Sequence, residues 1–65
     1  MKMRFELGQV YECVDNGKQA IVVQVRSEGR EGLLRFADSS AEEWFISADF
    51  HQTGKWRLLG EDLSE

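Results

Sequence analysis

The chain has 65 residues, eight of them basic and twelve acidic, and its formal net charge is −4. A chain of this length has room for one domain and buries only about 60% of the surface that its unfolded form exposes. With a single cysteine and a single histidine, an internal disulfide is excluded and a Cys/His zinc site is disfavoured. We therefore expect no cofactor, and a fold whose stability comes from its apolar core.

The first predicted element is a β-hairpin. Gln9–Val14 is rich in β-prone residues, and Asn16-Gly17 follows it. This dipeptide favours a two-residue type I′ turn, because both residues tolerate positive φ. The run from Ala20 to Arg26 predicts the second strand, since its β-branched side chains disfavour a helix. Alternation along this strand assigns three side chains to the buried face: Ile21, Val23 and Val25.

A third strand is predicted at Leu33–Phe36, after a glycine-containing turn. Leu34 and Phe36 are expected to point inward and Arg35 outward, because successive side chains of a strand alternate between its two faces. Residues 9–36 are therefore expected to form a three-stranded antiparallel meander.

Two structures fit residues 41–53. In the first, Glu43–Ile46 forms a fourth strand, Ser47 caps a brief helical turn, and Lys55–Leu59 forms a fifth strand. The aromatic and β-branched residues at 44–46 favour this structure, because such side chains fit a pleated surface better than a helix.

In the second structure, a single helix covers residues 41–53. Ser40 and Glu43 would form a capping box at its N-terminus, and Gly54 would end it. Four apolar side chains would then share one face at helical spacing: Ala41, Trp44, Phe45 and Ala48. The alternative fold is thus a three-stranded meander followed by one helix and a final strand.

The favoured order of elements resembles that of an SH3-like small β-barrel over residues 8–59. Residues 44–50, Trp-Phe-Ile-Ser-Ala-Asp-Phe, look like the strand, serine-capped turn and aromatic residue that precede the last strand of eukaryotic SH3 domains. The resemblance implies a mostly β fold, a five-stranded antiparallel barrel with a short helical turn before the last strand.

The resemblance does not extend to the proline-peptide groove of SH3 domains. Ile46 and Ala48 stand where that family has proline and asparagine, and Phe50 lies one residue later than the family's tyrosine. The family's acidic-aromatic motif and its tandem tryptophans are also absent. A groove for proline-rich peptides is therefore not implied.

We expect one domain over residues 1–65, with residues 60–65 as an acidic flexible tail, because Glu61, Asp62 and Glu65 lie there. No apolar run approaches the roughly 20 residues that span a bilayer, and the first residues lead into no apolar signal segment. A lone thiol without a signal segment predicts a cytoplasmic protein with no membrane partner.

No spacing in the sequence indicates a catalytic site. Cys13 and His51 would form a nucleophile pair only if the fold brought them together, with Asp49 orienting the histidine. A free cysteine more commonly packs as a small apolar side chain. Glu42 and Glu43 are adjacent in sequence and therefore point to opposite faces of a strand. We predict that the protein is not an enzyme.

The large apolar side chains are expected to fill the core, because a chain this small needs nearly all of them inside: Val23, Val25, Phe36, Trp44, Ile46, Trp56 and Leu58. This assignment leaves Tyr11 and Phe45 on the opposite faces of their strands, where one or both would be exposed. Exposed aromatic residues beside arginines are typical of protein interfaces. The predicted partner-binding residues are therefore Tyr11, Phe45, Arg26, Arg35 and Arg57.

These features favour a non-enzymatic small binding module that acts on another protein or on itself. One alternative is a small barrel that binds nucleic acid through a sheet face bearing Tyr11, although a net charge of −4 disfavours strong binding to phosphate. Another alternative is an acidic inhibitor from a mobile element that blocks a nucleic-acid enzyme. No sequence feature separates the binding module from the inhibitor.

Overall fold

The computed structural model describes residues 4–61, and for residue 61 the backbone alone. Five antiparallel strands form one sheet in the order β4-β3-β2-β1-β5. Their bounds are β1 Gln9–Cys13, β2 Gln19–Arg26, β3 Glu31–Phe36, β4 Glu42–Ile46 and β5 Trp56–Glu61. The mostly β class and the five strands are thereby confirmed. Within residues 4–61 the edge strands β4 and β5 each pair with one neighbour, so the sheet is not closed.

A single short helix, α1, covers Ser47–Gln52 between β4 and β5. The long helix over residues 41–53 is wrong, because residues 42–46 pair with β3 along their whole length. Ser47 also does not cap α1 as predicted, since the N-cap is Ile46 and no side chain caps the helix there. Instead the Ser47 backbone N–H donates to the carbonyl oxygen of Arg30 at 2.7 Å, which ties the start of α1 to the β2–β3 connection.

One extra residue in β2 decides which of its side chains reach the core. Val22 pairs with Leu34, but Gln24 pairs with Leu33, so the register shifts by one residue between them. A bulge of this kind reverses the alternation of the strand. Ala20 and Val22 are buried before the bulge, and Val25 packs on the core after it. The prediction that Val25 lies on the buried face of β2 is therefore correct. The same prediction is wrong for Ile21 and Val23, which are half-buried.

The core is built around aromatic rings, and the N-terminal segment supplies one of them. Its buried side chains are Phe5, Tyr11, Ala20, Val22, Leu34 and Phe50, with Val25, Phe36, Phe45 and Trp56 packed against them. Phe5 is held by its backbone N–H, which donates to the Gly29 carbonyl oxygen at 2.8 Å. The predicted inward position of Leu34 is confirmed, as is the outward position of Arg35.

The faces of β4 are the reverse of those predicted. Phe45 pairs with Gly32 and packs on the core side, where its ring lies 5.3 Å from that of Phe50. Trp44 and Ile46 point to the other side, and Ile46 is 54% exposed. The register of β4 against β3 sets these faces, because Phe45 lies opposite Gly32 on the core side and Trp44 lies opposite Leu33 on the other. The absence of a side chain at Gly32 leaves room there for the Phe5 ring.

The last strand also departs from the expected core. Trp56 packs on the core, as predicted, and its ring stacks on Phe50 at 5.1 Å. Leu58 is exposed instead of buried, although it pairs with Tyr11 across the sheet. Because β5 continues to Glu61, the first two residues of the predicted tail belong to a strand, and residues 62–65 lie outside the described residues.

The β1–β2 connection is longer than a two-residue type I′ turn. It covers residues 14–18, and a type I′ turn is ruled out because Asn16 does not have the positive φ that such a turn requires. Gly17 does have positive φ, at 75°. Asn16 acts through its side chain, whose Oδ1 accepts the Lys18 backbone N–H at 2.9 Å.

Replacing Gly32 by alanine should destabilise the protein more than replacing Gly17, although both changes add one methyl group. A Cβ at residue 32 would lie 2.6 Å from Cδ2 of Phe5, whereas a Cβ at residue 17 has nothing within 4 Å. Gly17→Ala costs only the strain of positive φ, about 1 kcal/mol, while we expect overpacking in Gly32→Ala to cost about 2–3 kcal/mol. Denaturant unfolding measures both losses, and equal losses would contradict the packing of Phe5 on Gly32.

Candidate functional site

The outer face of the sheet, the side away from the core, carries a row of apolar side chains that ends on the edge strand β4. Leu33 pairs with Trp44, and residues directly opposite each other on neighbouring strands share a face. In the next row Glu31 pairs with Ile46 and with Arg26. Leu33 and Trp44 are half-buried and Ile46 is exposed. We call Leu33, Trp44, Ile46 and Arg26 the outer patch.

Arg26 is held in place within the outer patch by two interactions. Its guanidinium carbon lies 3.8 Å from the centre of the Trp44 ring, a cation–π geometry. Its Nη2 lies 3.1 Å from Oε1 of Glu31 on the neighbouring strand. The stack shields part of the tryptophan ring and places the charged pair of Arg26 and Glu31 beside the apolar side chains.

The other two predicted arginines lie on the same face, and each is paired with a carboxylate across the sheet. Arg35 donates to Oε2 of Glu42 from Nε at 2.9 Å and from Nη2 at 2.7 Å, and Arg57 pairs with Glu12. Exposed pairs of this kind contribute about 0–1 kcal/mol to stability. Their larger effect is electrostatic, since a face whose arginines are paired with glutamates attracts phosphate only weakly.

The predicted partner-binding residues do not form one cluster, because the sheet separates them. Arg26, Arg35 and Arg57 lie on the outer face, whereas Tyr11 and Phe45 belong to the core side. Tyr11 is only 2% exposed, so its predicted exposure is wrong. Its side chain is kept inside because it lies on the face of β1 that packs against α1, where its ring contacts that of Phe50.

A polar cluster inside the core was missed by the sequence analysis. The Tyr11 hydroxyl lies 3.1 Å from Oε1 of Gln9 and 3.1 Å from Nε2 of His51. The other ring nitrogen of His51, Nδ1, lies 2.8 Å from the carbonyl oxygen of Ser47. Both ring nitrogens therefore have partners other than the Cys13 thiol. No local signal predicts this cluster, since Tyr11 and His51 are 40 residues apart.

Burial raises the pKa of the Tyr11 hydroxyl above its ordinary value of 10.0, and the negative charge of Glu6 raises it further. Both effects oppose formation of a phenolate, the first because the anion loses its water and the second because like charges repel. Tyr11 is thus a neutral hydrogen-bonding group over the whole physiological range.

A depression of about 420 Å³ opens at one end of the sheet beside Cys13. Phe36 and Trp56 form its apolar wall, and Lys18 and Asp38, paired at 3.1 Å, lie at its rim. The hydrogen bond from Lys18 lowers the pKa of the Asp38 carboxyl. Cys13 is half-buried and lines this depression.

The described residues were searched for side-chain clusters that could hold a metal ion and for helices long enough to cross a membrane. Within residues 4–61, no group of three or more His, Cys, Asp and Glu side chains is arranged to hold a metal ion. Of the helical segments in this part of the chain, none has the length and apolar character needed to cross a bilayer.

The titration of Tyr11 should report its burial directly, because it is the only tyrosine in the chain. We expect phenolate absorbance to appear only above pH 10.0 in the folded protein, since its pKa is raised. Above that pH the unfolded chain releases the proton while the folded chain keeps it, so stability should fall as pH rises. The Tyr11→Phe variant should lack this fall, and titration at the ordinary value in the folded protein would contradict the burial.

Comparison of this chain with protein-family models, with curated proteins and with solved structures finds no match. The function of the chain therefore has to be inferred from its own residues.

Proposed function

We propose that the protein is a non-enzymatic binding module that uses the outer patch to contact another protein or a second copy of itself. The observation that carries this proposal is the row formed by Leu33 and Trp44, with Ile46 beside it, on a face whose charges are already paired. Tryptophan and arginine are the residues most often responsible for binding energy at protein interfaces. Here they are stacked on each other at the edge of the sheet, where a partner has access to both.

The position of the patch on β4 adds to this proposal. β4 pairs with β3 alone in the described part of the chain, so one side of its backbone has no strand neighbour. The other edge, β5, carries a bulge, since Val10 pairs with Gly60 but Tyr11 pairs with Leu58. Bulges hinder the addition of another strand, and a regular edge permits it. β4 has no such irregularity against β3.

We further propose that the fold is SH3-like, with the barrel only partly formed. Each strand pairs with the next along the chain from β1 to β4, and β5 returns to pair with β1 after a short helix. This order agrees with the resemblance in residues 44–50. A groove for proline-rich peptides is not part of the proposal, because Tyr11 and Phe50 are buried.

Nucleic-acid binding is the weaker candidate. Its support was a basic sheet face bearing Tyr11. Tyr11 is buried, however, and each of Arg26, Arg35 and Arg57 is paired with a glutamate. An acidic inhibitor remains compatible with the outer patch, since such a protein also acts by protein–protein contact.

Ile46→Ser should weaken association while leaving the fold intact, and Val14→Ser serves as the matched control. The two side chains are almost equally exposed, at 54% and 55%, but Val14 lies on the β1–β2 connection, away from the outer patch. We expect Ile46→Ser to weaken dimerisation, or binding to a partner isolated from the native host, by about tenfold. Sedimentation equilibrium and calorimetric titration measure these two constants.

An equal effect of the two substitutions would contradict the assignment of binding to the outer patch. Binding of a mixed oligonucleotide pool that weakens steeply with salt would instead favour the nucleic-acid candidate.

A further inference from the structure

Two hydrogen bonds at the ends of β4 show which of its backbone groups point toward β3. The Ala41 carbonyl oxygen accepts the Phe36 backbone N–H at 2.8 Å, and the Ser47 backbone N–H donates to the Arg30 carbonyl oxygen at 2.7 Å. Both bonds lie on the register that pairs β4 with β3. In an antiparallel pair, the N–H and C=O of one residue point to the same side, and successive residues alternate between the two sides. Odd-numbered residues of β4 therefore face β3, and even-numbered residues face away from it.

The backbone groups that face the open edge of β4 belong to Glu42, Trp44 and Ile46. The carbonyl oxygen of Ile46 is used by α1, because this residue is the N-cap and accepts the first hydrogen bond of the helix. None of the loop and turn hydrogen bonds of residues 4–61 reaches the remaining groups. The edge therefore offers both donors and acceptors to an added strand.

The residues that offer these backbone groups also carry the side chains of the outer patch. Trp44 and Ile46 lie on the outer face, because alternate side chains of a strand share a face. A strand added to the open edge of β4 would place its own alternate side chains beside them. Backbone bonds and side-chain contacts at this edge therefore favour the same occupant, a segment in extended conformation.

The open edge is acidic where β4 begins. Glu42 and Glu43 are adjacent, and both are exposed. Arg35 pairs with Glu42 through Oε2, whereas no basic side chain of residues 4–61 pairs with Glu43. A charge without a partner at the rim of a binding surface attracts the opposite charge and repels its own. The edge therefore favours a segment with a basic residue at this end.

We propose, building on the function proposed above, that the outer patch binds an extended segment of another protein as an additional strand antiparallel to β4. The residues of this segment opposite Trp44 and Ile46 are apolar, and the residue opposite Glu43 is lysine or arginine. The antiparallel direction follows from the rest of the sheet, in which every described pair of strands is antiparallel.

A second copy of this chain fits the edge less well. Antiparallel pairing of two β4 strands can place Trp44 opposite any of the outward-facing residues of the other copy. Glu43 then lies opposite Glu43, Phe45 or Ser47 of that copy, and none of these is basic. The net charge of −4 on each copy adds repulsion. A basic segment of another protein removes both difficulties.

Hydrogen exchange in the free protein tests the geometry of the edge. We expect the backbone amides of Trp44 and Ile46 to exchange at least about tenfold faster than those of Glu43 and Phe45, which are bonded to β3. Residue-resolved exchange measured by NMR compares these neighbours within one strand. Equal protection of the two sets in dilute protein would overturn the open edge and the proposal with it.

The binding test uses the full chain and a synthetic peptide of about seven residues with blocked ends. A run of apolar β-branched residues is placed opposite Ile46 to Trp44, and lysines follow opposite Glu43 and Glu42. We expect calorimetric titration to detect binding, and we expect the amides of Trp44 and Ile46 to become protected in the complex. The amide of Phe45 should change little, because it is already bonded to β3.

Charge exchange tests the role of Glu43. We expect Glu43→Lys to weaken binding of the lysine peptide by about tenfold, and a peptide with glutamates in place of the lysines to bind this variant instead. Asp15→Lys is the matched control, since it changes the net charge equally at an exposed position on the β1–β2 connection. Equal effects of the two substitutions would overturn the proposed contact with Glu43.

Backbone methylation of the peptide separates strand addition from contact through side chains alone. Methyl groups on the peptide nitrogens opposite Glu42 and Trp44 remove hydrogens that would be donated to β4, and we expect them to weaken binding at least about tenfold. The same number of methyl groups opposite Glu43 and Phe45 point away from β4 and should have little effect. Equal losses in the two peptides would overturn strand addition.

The remaining outcomes separate this proposal from the function on which it rests. If the unmethylated peptide does not bind while Ile46→Ser still weakens association, the extended segment is wrong and the outer patch remains a binding surface. If protection of the Trp44 and Ile46 amides rises with protein concentration alone, a second copy occupies the edge and the basic segment is wrong.

Discussion

The packing of Phe50 against rings from distant parts of the chain is the interaction on which the fold depends. Its ring lies 5.1 Å from Phe5, 5.0 Å from Tyr11 and 5.1 Å from Trp56. One residue of a six-residue helix therefore joins the N-terminal segment, the strand β1 and the edge strand β5. Such a helix has no stability alone. The helix is stable because the Phe50 ring packs on the core side of the sheet. In turn, the Phe50 ring covers part of that side of the open sheet.

The second constraint is the bulge in β2, which determines which of its side chains lie on the outer face of the sheet. By adding one residue after Val22, it turns Val25 inward and leaves Gln24 and Arg26 on the outer face. Arg26 is thereby brought over the Trp44 ring. A strand without the bulge would place Arg26 on the core side, so the outer patch and the core have a common origin.

The surface and the interior of this protein differ in how their polar groups are satisfied. On the outer face, arginines pair with glutamates across strands, and water can replace any of these contacts at little cost. Inside, the hydrogen bonds found among residues 4–61 join Gln9, Tyr11 and His51 to one another and to the backbone. A missing hydrogen matters there, because a buried polar group without a partner costs about 1–3 kcal/mol. Loss of a hydrogen bond in the interior therefore affects stability more than loss of an ion pair on the outer face.

The sequence by itself determined the first three strands and their order, and it favoured a fourth strand, a short helix and a fifth strand over one long helix at residues 41–53. These features follow from local properties, namely β-branched and aromatic runs separated by turn residues. It also determined that Leu34 points inward, since β3 alternates without interruption.

Only the tertiary structure decided which faces of β2 and β4 are buried. The buried face of β2 depends on a one-residue bulge, and that of β4 depends on the register that places Phe45 opposite Gly32. It also decided that Tyr11 meets His51. That contact joins residues 40 positions apart. The pattern of apolar residues does not predict it, because a hydrogen bond between distant residues depends on the fold of the whole chain rather than on neighbouring residues.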